Sequence, residues 1–250
     1  VDNPAWKLIW ALNSMKDARD EITIDGFYED FVRPRSEDIK MLKEVARSTR
    51  EEDALRRELG VRKFRRDLRG VDLLKELYLR PTLNINGFIS GHVGSGVKDV
   101  CPAWSRASVD IKTVPNMRKD ELMLKIKRHL RRHGFEGVQV KSLGGFGWAR
   151  TPASSDVARA IGKTAVRLGL EPITYPSASG PLPITLFSSS PLNLPFGRMS
   201  GIGIRSRGTH APNEYLVIGE YISSIKFAAA FLYEYSQSLH DPPSSSGQRN

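Results

Sequence analysis

Five histidines are the first residues to ask about chemistry, because a neutral imidazole can ligate a metal or move a proton near neutral pH. His129 and His133 stand four apart, the helical spacing that lets two imidazoles share one ion. Between them lie Leu130, Arg131 and Arg132. Leucine thus occupies the place where a helical zinc protease carries its general-base glutamate, and two arginines beside a dication would cost energy. The pair reads as part of a basic, solvated helix face. His210 is placed differently. It sits in SRGTHAPNE (residues 206–214), a loop of small residues that enters a long apolar helix. A rigid loop of this kind can hold an imidazole as a metal ligand, with Asn213 or Glu214 orienting the loop or capping the helix. The glycine-rich stretch 91–96 has the composition of a phosphate cradle but not its ending. Val97, Lys98 and Asp99 follow where a P-loop continues Lys-Ser/Thr, and the stretch joins two predicted strands, so no helix N-terminus faces an anion.

The elements that must position these residues follow from local signals. Asn3 and Pro4 form a helix start, and Trp6, Ile9, Trp10 and Asn13 space a helix to about Lys16. Alternation of Ile22, Ile24 and Gly26 predicts a strand over 21–28. Ser36, Glu37 and Asp38 open a long charged helix to about Leu59, read largely as a solvated face, and a shorter helix follows at 72–79. Strands are predicted at 82–89 and 107–114. An amphipathic helix then covers 118–133, with Leu122, Ile126 and Leu130 as its stripe, and a further strand begins at 138–140. This order describes an α+β sandwich with helices on one side of an antiparallel sheet, within a chain that is α/β overall. Composition changes near LGGFGWAR (residues 143–150), which places a junction there. Beyond it come a helix at 155–168, a short strand at 173–175, a Pro/Gly/Ser loop at 176–183 and a closing helix over 213–236. The row Ile218, Tyr221, Ile222, Ile225, Ala229 and Leu232 reads as deeply packed against a parallel sheet whose other strands lie upstream, so the stretch from about Leu143 is expected by itself to expose apolar surface. The domains are therefore expected at 1–142 and 143–238, with a disordered polar tail at 239–250.

Composition narrows the classes. Hydrophobic residues make up 40% and charged residues 26% of the 250, which is a globular balance with room for a real core. The longest apolar segment, 215–235, is interrupted by Glu220, Lys226 and Glu234, so no membrane span is expected. The N-terminal residues Asp2, Asn3 and Pro4 do not form the basic start of a signal peptide, and Cys101 stands alone. A single cysteine excludes an internal disulfide and a cysteine-built zinc cluster, which fits a cytoplasmic setting. The net charge of +10 raises the question of nucleic acid. Its two richest runs, 62–69 and 125–132, hold one aromatic between them, Phe64, so no stacking platform accompanies the charge and nucleic acid is not the expected partner.

Four segments, in order, carry a resemblance to a known family: NPAWKLIWAL (3–12), GSGVKDVCP through VDIKTVPNM (94–117), YPSASGPLPITLF (175–187), and SRGTHAPNE with the helix ending FAAAFLYEYS. Together they span nearly the whole chain to about Ser236. They resemble the downstream part of the two-zinc peptidases and deacylases that include carnosinase, acetylornithine deacetylase, succinyl-diaminopimelate desuccinylase and glutamate carboxypeptidase. The resemblance implies a lid, or dimerisation, domain followed by the C-terminal part of an α/β catalytic domain. It implies that His210 ligates one of two zinc ions, with manganese or cobalt as alternatives. Lys112 stands where dipeptidases of the family have an arginine that holds the substrate carboxylate; the charge is kept but the bidentate fork is lost. Asp99 stands where a relative has a threonine that reaches substrate across the dimer, and a carboxylate there would repel an acidic substrate. Ser179 and Gly180 fall in the glycine-rich loop that lines the site, with Pro181 in place of a serine.

The resemblance also implies what lies elsewhere. The family's His-x-Asp pair, bridging aspartate, Glu-Glu pair with the general base, and the lid histidine that works across the dimer precede the matched region, and the sequence contains no His-x-Asp. Glu51-Glu52 falls in the charged lid helix and is no substitute. The expected function is metal-dependent hydrolysis of an amide in a dipeptide or N-acyl amino acid by the full-length protein, as a homodimer through the lid. An upstream segment or partner chain would complete the site, and the isolated chain would be inactive. The alternative is a non-catalytic dimerisation module, or one half of a split enzyme.

Overall fold

Asn3 begins the first element by local chemistry: its side-chain oxygen accepts the Ala5 N–H at 2.9 Å, and Pro4 opens helix α1 (Pro4–Met15). The computed structural model describes residues 1–178, 183–188, 191–197 and 212–240. Within these the chain divides into two compact units, Val1–Trp148 with Tyr175–Thr185, and Ala149–Thr174 with Leu186–Asn250.

In the first unit four helices precede a hairpin. They are α1, α2 (Ser36–Ser48), α3 (Glu51–Leu59) and α4 (Gly70–Leu79). The hairpin pairs β1 (Thr82–Ser90) antiparallel with β2 (Ser105–Lys112), and its register slips by a bulge between Ile85 and Gly87. Helix α5 (Lys119–Arg132) follows and ends before Gly134, whose φ of +81° suits a residue without Cβ. The core forms where α5 turns its apolar stripe inward and α1 adds Ala11 and Met15, while the row read from sequence on α1, Trp6, Ile9, Trp10 and Asn13, is exposed. Ala11, Met15, Leu122, Ile126 and Leu130 pack with Ile22, Ile24, Phe27, Leu83, Val114 and Met117. A second cluster joins α2 to α4 through Leu42, Val45, Leu73, Leu74 and Tyr78, all buried.

In the second unit α6 (Asp156–Arg167) is capped by Ser155, whose hydroxyl accepts the Ala158 N–H at 3.2 Å. A one-turn helix α7 (Thr185–Ser188) begins at the unit boundary, and α8 (Ile218–His240) closes the described chain. Helix α8 packs on α6 through Phe227, which is fully buried beside a face of Val157, Ala160, Thr164 and Ala165. Arg167 ties the far end, pairing with Glu234 at 2.6 Å and lying over the Tyr233 ring. Among the described residues no helix is long and apolar enough to cross a membrane.

Several local expectations are corrected. Residues 21–28 are not a strand: Ile22 makes one bridge to Lys16, and turns close from Phe27 to Ile24 and from Glu29 to Gly26, whose φ is +74°. The alternation holds in burial only for Ile22 and Ile24; the turn then carries Phe27, not Gly26, into the core. The helix expected over 36–59 is two helices, because Thr49 is extended and its hydroxyl accepts the Glu51 N–H, starting a new helix. Residues 138–140 and 173–175 form no ladder. Within this chain α8 is buried only around Phe227; Ile218, Tyr221, Ile222, Ile225 and Leu232 are exposed, which is the open apolar surface expected beyond Leu143.

Candidate functional site

Strand β2 ends at Lys112, opposite Thr82, and delivers the lysine side chain to the last turn of α4. There Nζ donates to the Leu77 carbonyl at 2.6 Å. That carbonyl belongs to the group a helix leaves unpaired at its C-terminus, and the helix dipole favours a cation at this end. Burial pushes the Lys112 ammonium below its ordinary value, since the charge is partly stripped of water. Among the described residues no carboxylate lies within ion-pairing distance of it. A half-buried cation resting on one neutral carbonyl keeps donors available for an anion.

The same helix carries a second polar centre. Tyr78, one residue beyond Leu77, donates its hydroxyl to Glu51 Oε1 at 2.7 Å. Tyr175 donates to Glu51 Oε2 at 2.8 Å, and the two phenol rings lie 5.5 Å apart. Glu52 is also engaged, accepting from Arg56 and from the Gly70 N–H at 2.7 Å. Both glutamates sit in the first turn of α3, where the helix dipole favours negative charge. The acidic pair therefore faces inward and binds α3 to α4 and to Tyr175, which corrects its reading as a solvated face.

His129 is the other correction. Its side chain is buried, whereas a solvated face was expected. Nδ1 accepts the Asp25 N–H at 3.2 Å, so Nε2 carries the proton and donates to Ser14 Oγ at 3.1 Å. Ser14 in turn donates to the Ala11 carbonyl at 2.7 Å, which fixes every hydrogen in the relay. His133 stacks on His129 with ring centroids 4.1 Å apart, and its Nε2 is 3.7 Å from Asp25 Oδ2. Asp25, His129 and His133 thus gather within the span of one small cation. They do not fit a zinc ion, however. Both His129 nitrogens are already hydrogen bonded, and Arg132 lies 3.3 Å from the Asp25 carboxylate that would have to serve as a ligand. Burial, and then the neighbouring His133, hold the His129 imidazole below its ordinary value. The group is a neutral bridge between α1, α5 and the turn at Asp25.

The basic runs are paired in part, and Arg62, Lys63, Lys127, Arg128 and Arg131 stay exposed. Arg65 pairs with Asp20, Arg66 with Glu76 and Glu21, Arg69 with Asp67, and Lys125 with Asp30 and Glu29.

The sequence-predicted residues fall in different places. Lys112 lies at the open end of the hairpin, whereas Asp99 is exposed in the connection at the other end, between Ser90 and Ser105. At about 3.4 Å per residue, the length of β2 separates those ends by roughly 24 Å. One small substrate therefore cannot touch both within a single chain. Ser179, Gly180 and His210 lie outside the described residues, as do 241–250 of the expected tail. Sequence reasoning missed Glu51, Tyr78, Tyr175 and Asp25 as partners. No periodic signal marks them, because each is defined by a residue 27 to 124 positions away.

Comparison with known proteins places this geometry. The family model of the M20 peptidase dimerisation domain matches residues 1–138. The Cys-Gly metallodipeptidase of Saccharomyces cerevisiae is 28% identical over 256 residues, covering 95% of this chain and 50% of that protein. The human Beta-Ala-His dipeptidase is 26% identical over 253 residues, covering 96% and 47%. Among solved structures, an M20 family metallo-carboxypeptidase from Sulfolobus solfataricus superposes with a TM-score of 0.82 at 29% identity, covering 94% of this chain and 53% of that one. The chain spans about half the length of the curated relatives it matches.

Proposed function

The chain belongs to the M20 peptidase family, whose dimerisation domain occupies its first 138 residues, and we propose that it takes part in hydrolysing the amide bond of a dipeptide or N-acylated amino acid. The observation that carries this reading is Lys112: a half-buried ammonium, its proton affinity lowered by burial, resting on a neutral carbonyl and free of a carboxylate among the described residues. The free carboxylate of a small peptide is the anion it would receive, exchanging the Leu77 carbonyl for a charge-assisted bond. Two relatives are named for Cys-Gly and Beta-Ala-His, both dipeptides with such a group.

His210 supplies one metal ligand in this proposal, and zinc is the metal expected. The remaining ligands and the general base come from outside these 250 residues. Zinc would supply an acidified water and polarise the scissile carbonyl. The chain's own contribution is orientation: Lys112 steers the carboxylate, and the Ser179-Gly180 loop offers backbone groups to the substrate. Asp99, at the far end of the hairpin, would reach substrate only in a partner's site, which makes a homodimer through the first domain part of the proposal.

The test is a pair of variants in the complete protein. His210→Ala should release zinc and lower activity by more than the roughly 10–100-fold that loss of a supporting contact costs. Lys112→Ala should raise KM by about tenfold to a hundredfold for a dipeptide, corresponding to about 1.5–3 kcal/mol, and leave KM for the dipeptide amide unchanged. Unchanged zinc and activity in the first variant, or equal effects on both substrates in the second, would remove the assignments. Dimers without any hydrolysis would favour a non-catalytic module.

A further inference from the structure

A carboxylate that accepts two phenolic hydrogens from segments far apart in sequence acts as a joint. Glu51 does so with Tyr78 of α4 and Tyr175 of the segment that leads into the loop at 176–183. Both bonds are short and charge-assisted, the kind that fixes geometry as well as adding energy. Tyr175 brings its segment into the first compact unit, to which Tyr175–Thr185 belongs. Lys112 is held by Leu77, the residue beside Tyr78 in the last turn of α4. Neighbouring residues along a helix differ by about 1.5 Å of rise, so a shift of that turn moves the lysine's anchor and the tyrosine's hydroxyl together.

We propose that Glu51 is a positioning residue for the carboxylate receptor: through Tyr78 and Tyr175 it holds the segment Tyr175-Pro176-Ser177-Ala178 in a constant relation to the helix turn that seats Lys112. The proposal rests on the reading of Lys112 as that receptor. It adds a residue that touches neither substrate nor metal but sets the distance between two parts that must meet one substrate.

The test uses Tyr175→Phe in the complete protein, which keeps the ring and removes one hydroxyl. We expect KM for a dipeptide to rise about tenfold while kcat stays within about twofold, with zinc content unchanged. The dipeptide amide should show no such rise, and in a Lys112→Ala background the effect should vanish, as it does for residues acting through one group. Glu51→Gln, which can still accept one phenol and donate to the other, should recover part of what Glu51→Ala loses. Equal losses on carboxylate and amide substrates would overturn the proposal. Hydrogen exchange separates this failure from that of the functional reading. If the wild-type protein cleaves no dipeptide, the functional reading fails, and the joint is then judged by exchange alone. Faster exchange at both 175–178 and 77–79 in Tyr175→Phe, with the rest of the chain unchanged, supports the joint; unchanged exchange at either segment refutes it.

Discussion

The two units solve the problem of burying apolar surface differently. The first gathers two clusters: α1, α5, the hairpin and the turn at Asp25 surround Phe27, which is 1% exposed, and α2 with α4 adds a second, while Trp6, Trp10, Ile85 and Phe88 stay exposed. The second rests on a helix pair in which Phe227 is fully buried, while Ile218 is 77% and Leu232 66% exposed on α8. Each exposed aliphatic side chain forgoes about 1.5–3 kcal/mol that full burial would supply. Apolar content alone therefore does not say how well a helix is packed. α1 and α8 are both rich in apolar residues, and each buries only part of its surface, Ala11 and Met15 on α1 and Phe227 on α8.

The largest effect that would break this comparison lies in the first core. Phe27→Ala should cost about 3–5 kcal/mol of unfolding free energy, measured by denaturant titration followed through tryptophan fluorescence. A cost below about 1 kcal/mol would mean that the core is not the unit's main support. An intermediate effect concerns the neutral His129 bridge. Its folded form prefers the uncharged imidazole, so the unfolded chain binds more protons as pH falls past its ordinary value of 6.5. Stability should be full above that pH and decline below it, and His129→Gln should flatten the slope between pH 7 and 5. An unchanged slope would show that another group titrates. The smallest effect belongs to α8. Ile222→Ser and Ile225→Ser should shift stability by no more than about 0.5 kcal/mol while lowering the binding of a hydrophobic dye. A large loss of stability would show that this row is covered rather than open.

What could be read from sequence was what depends on near neighbours. Asn3-Pro4 announced α1 because a cap acts over three residues. The stripe Leu122, Ile126 and Leu130 was visible because a helix repeats every 3.6 residues. The hairpin was found with its second strand displaced by two residues, since β-branched Val114 lies buried just past the ladder's end. The burial of His129 was hidden, because arginines flank it in sequence while its partners, Asp25 and Ser14, come from over 100 residues away. Lys112 was legible as a site residue only through resemblance, and its anchor on Leu77 was not legible at all.

The two-residue break between α2 and α3 has an effect on how this sequence can change. In an unbroken helix each residue gained or lost upstream would rotate everything after it by about 100°. Glu51 would then be swung away from Tyr78 and Tyr175 by a single insertion near Leu42. At Thr49 the helix stops and restarts, so the direction of the acidic pair is set afresh by its own first turn. The break works as a phase reset: α2 is at liberty to drift in length while the joint downstream keeps its aim.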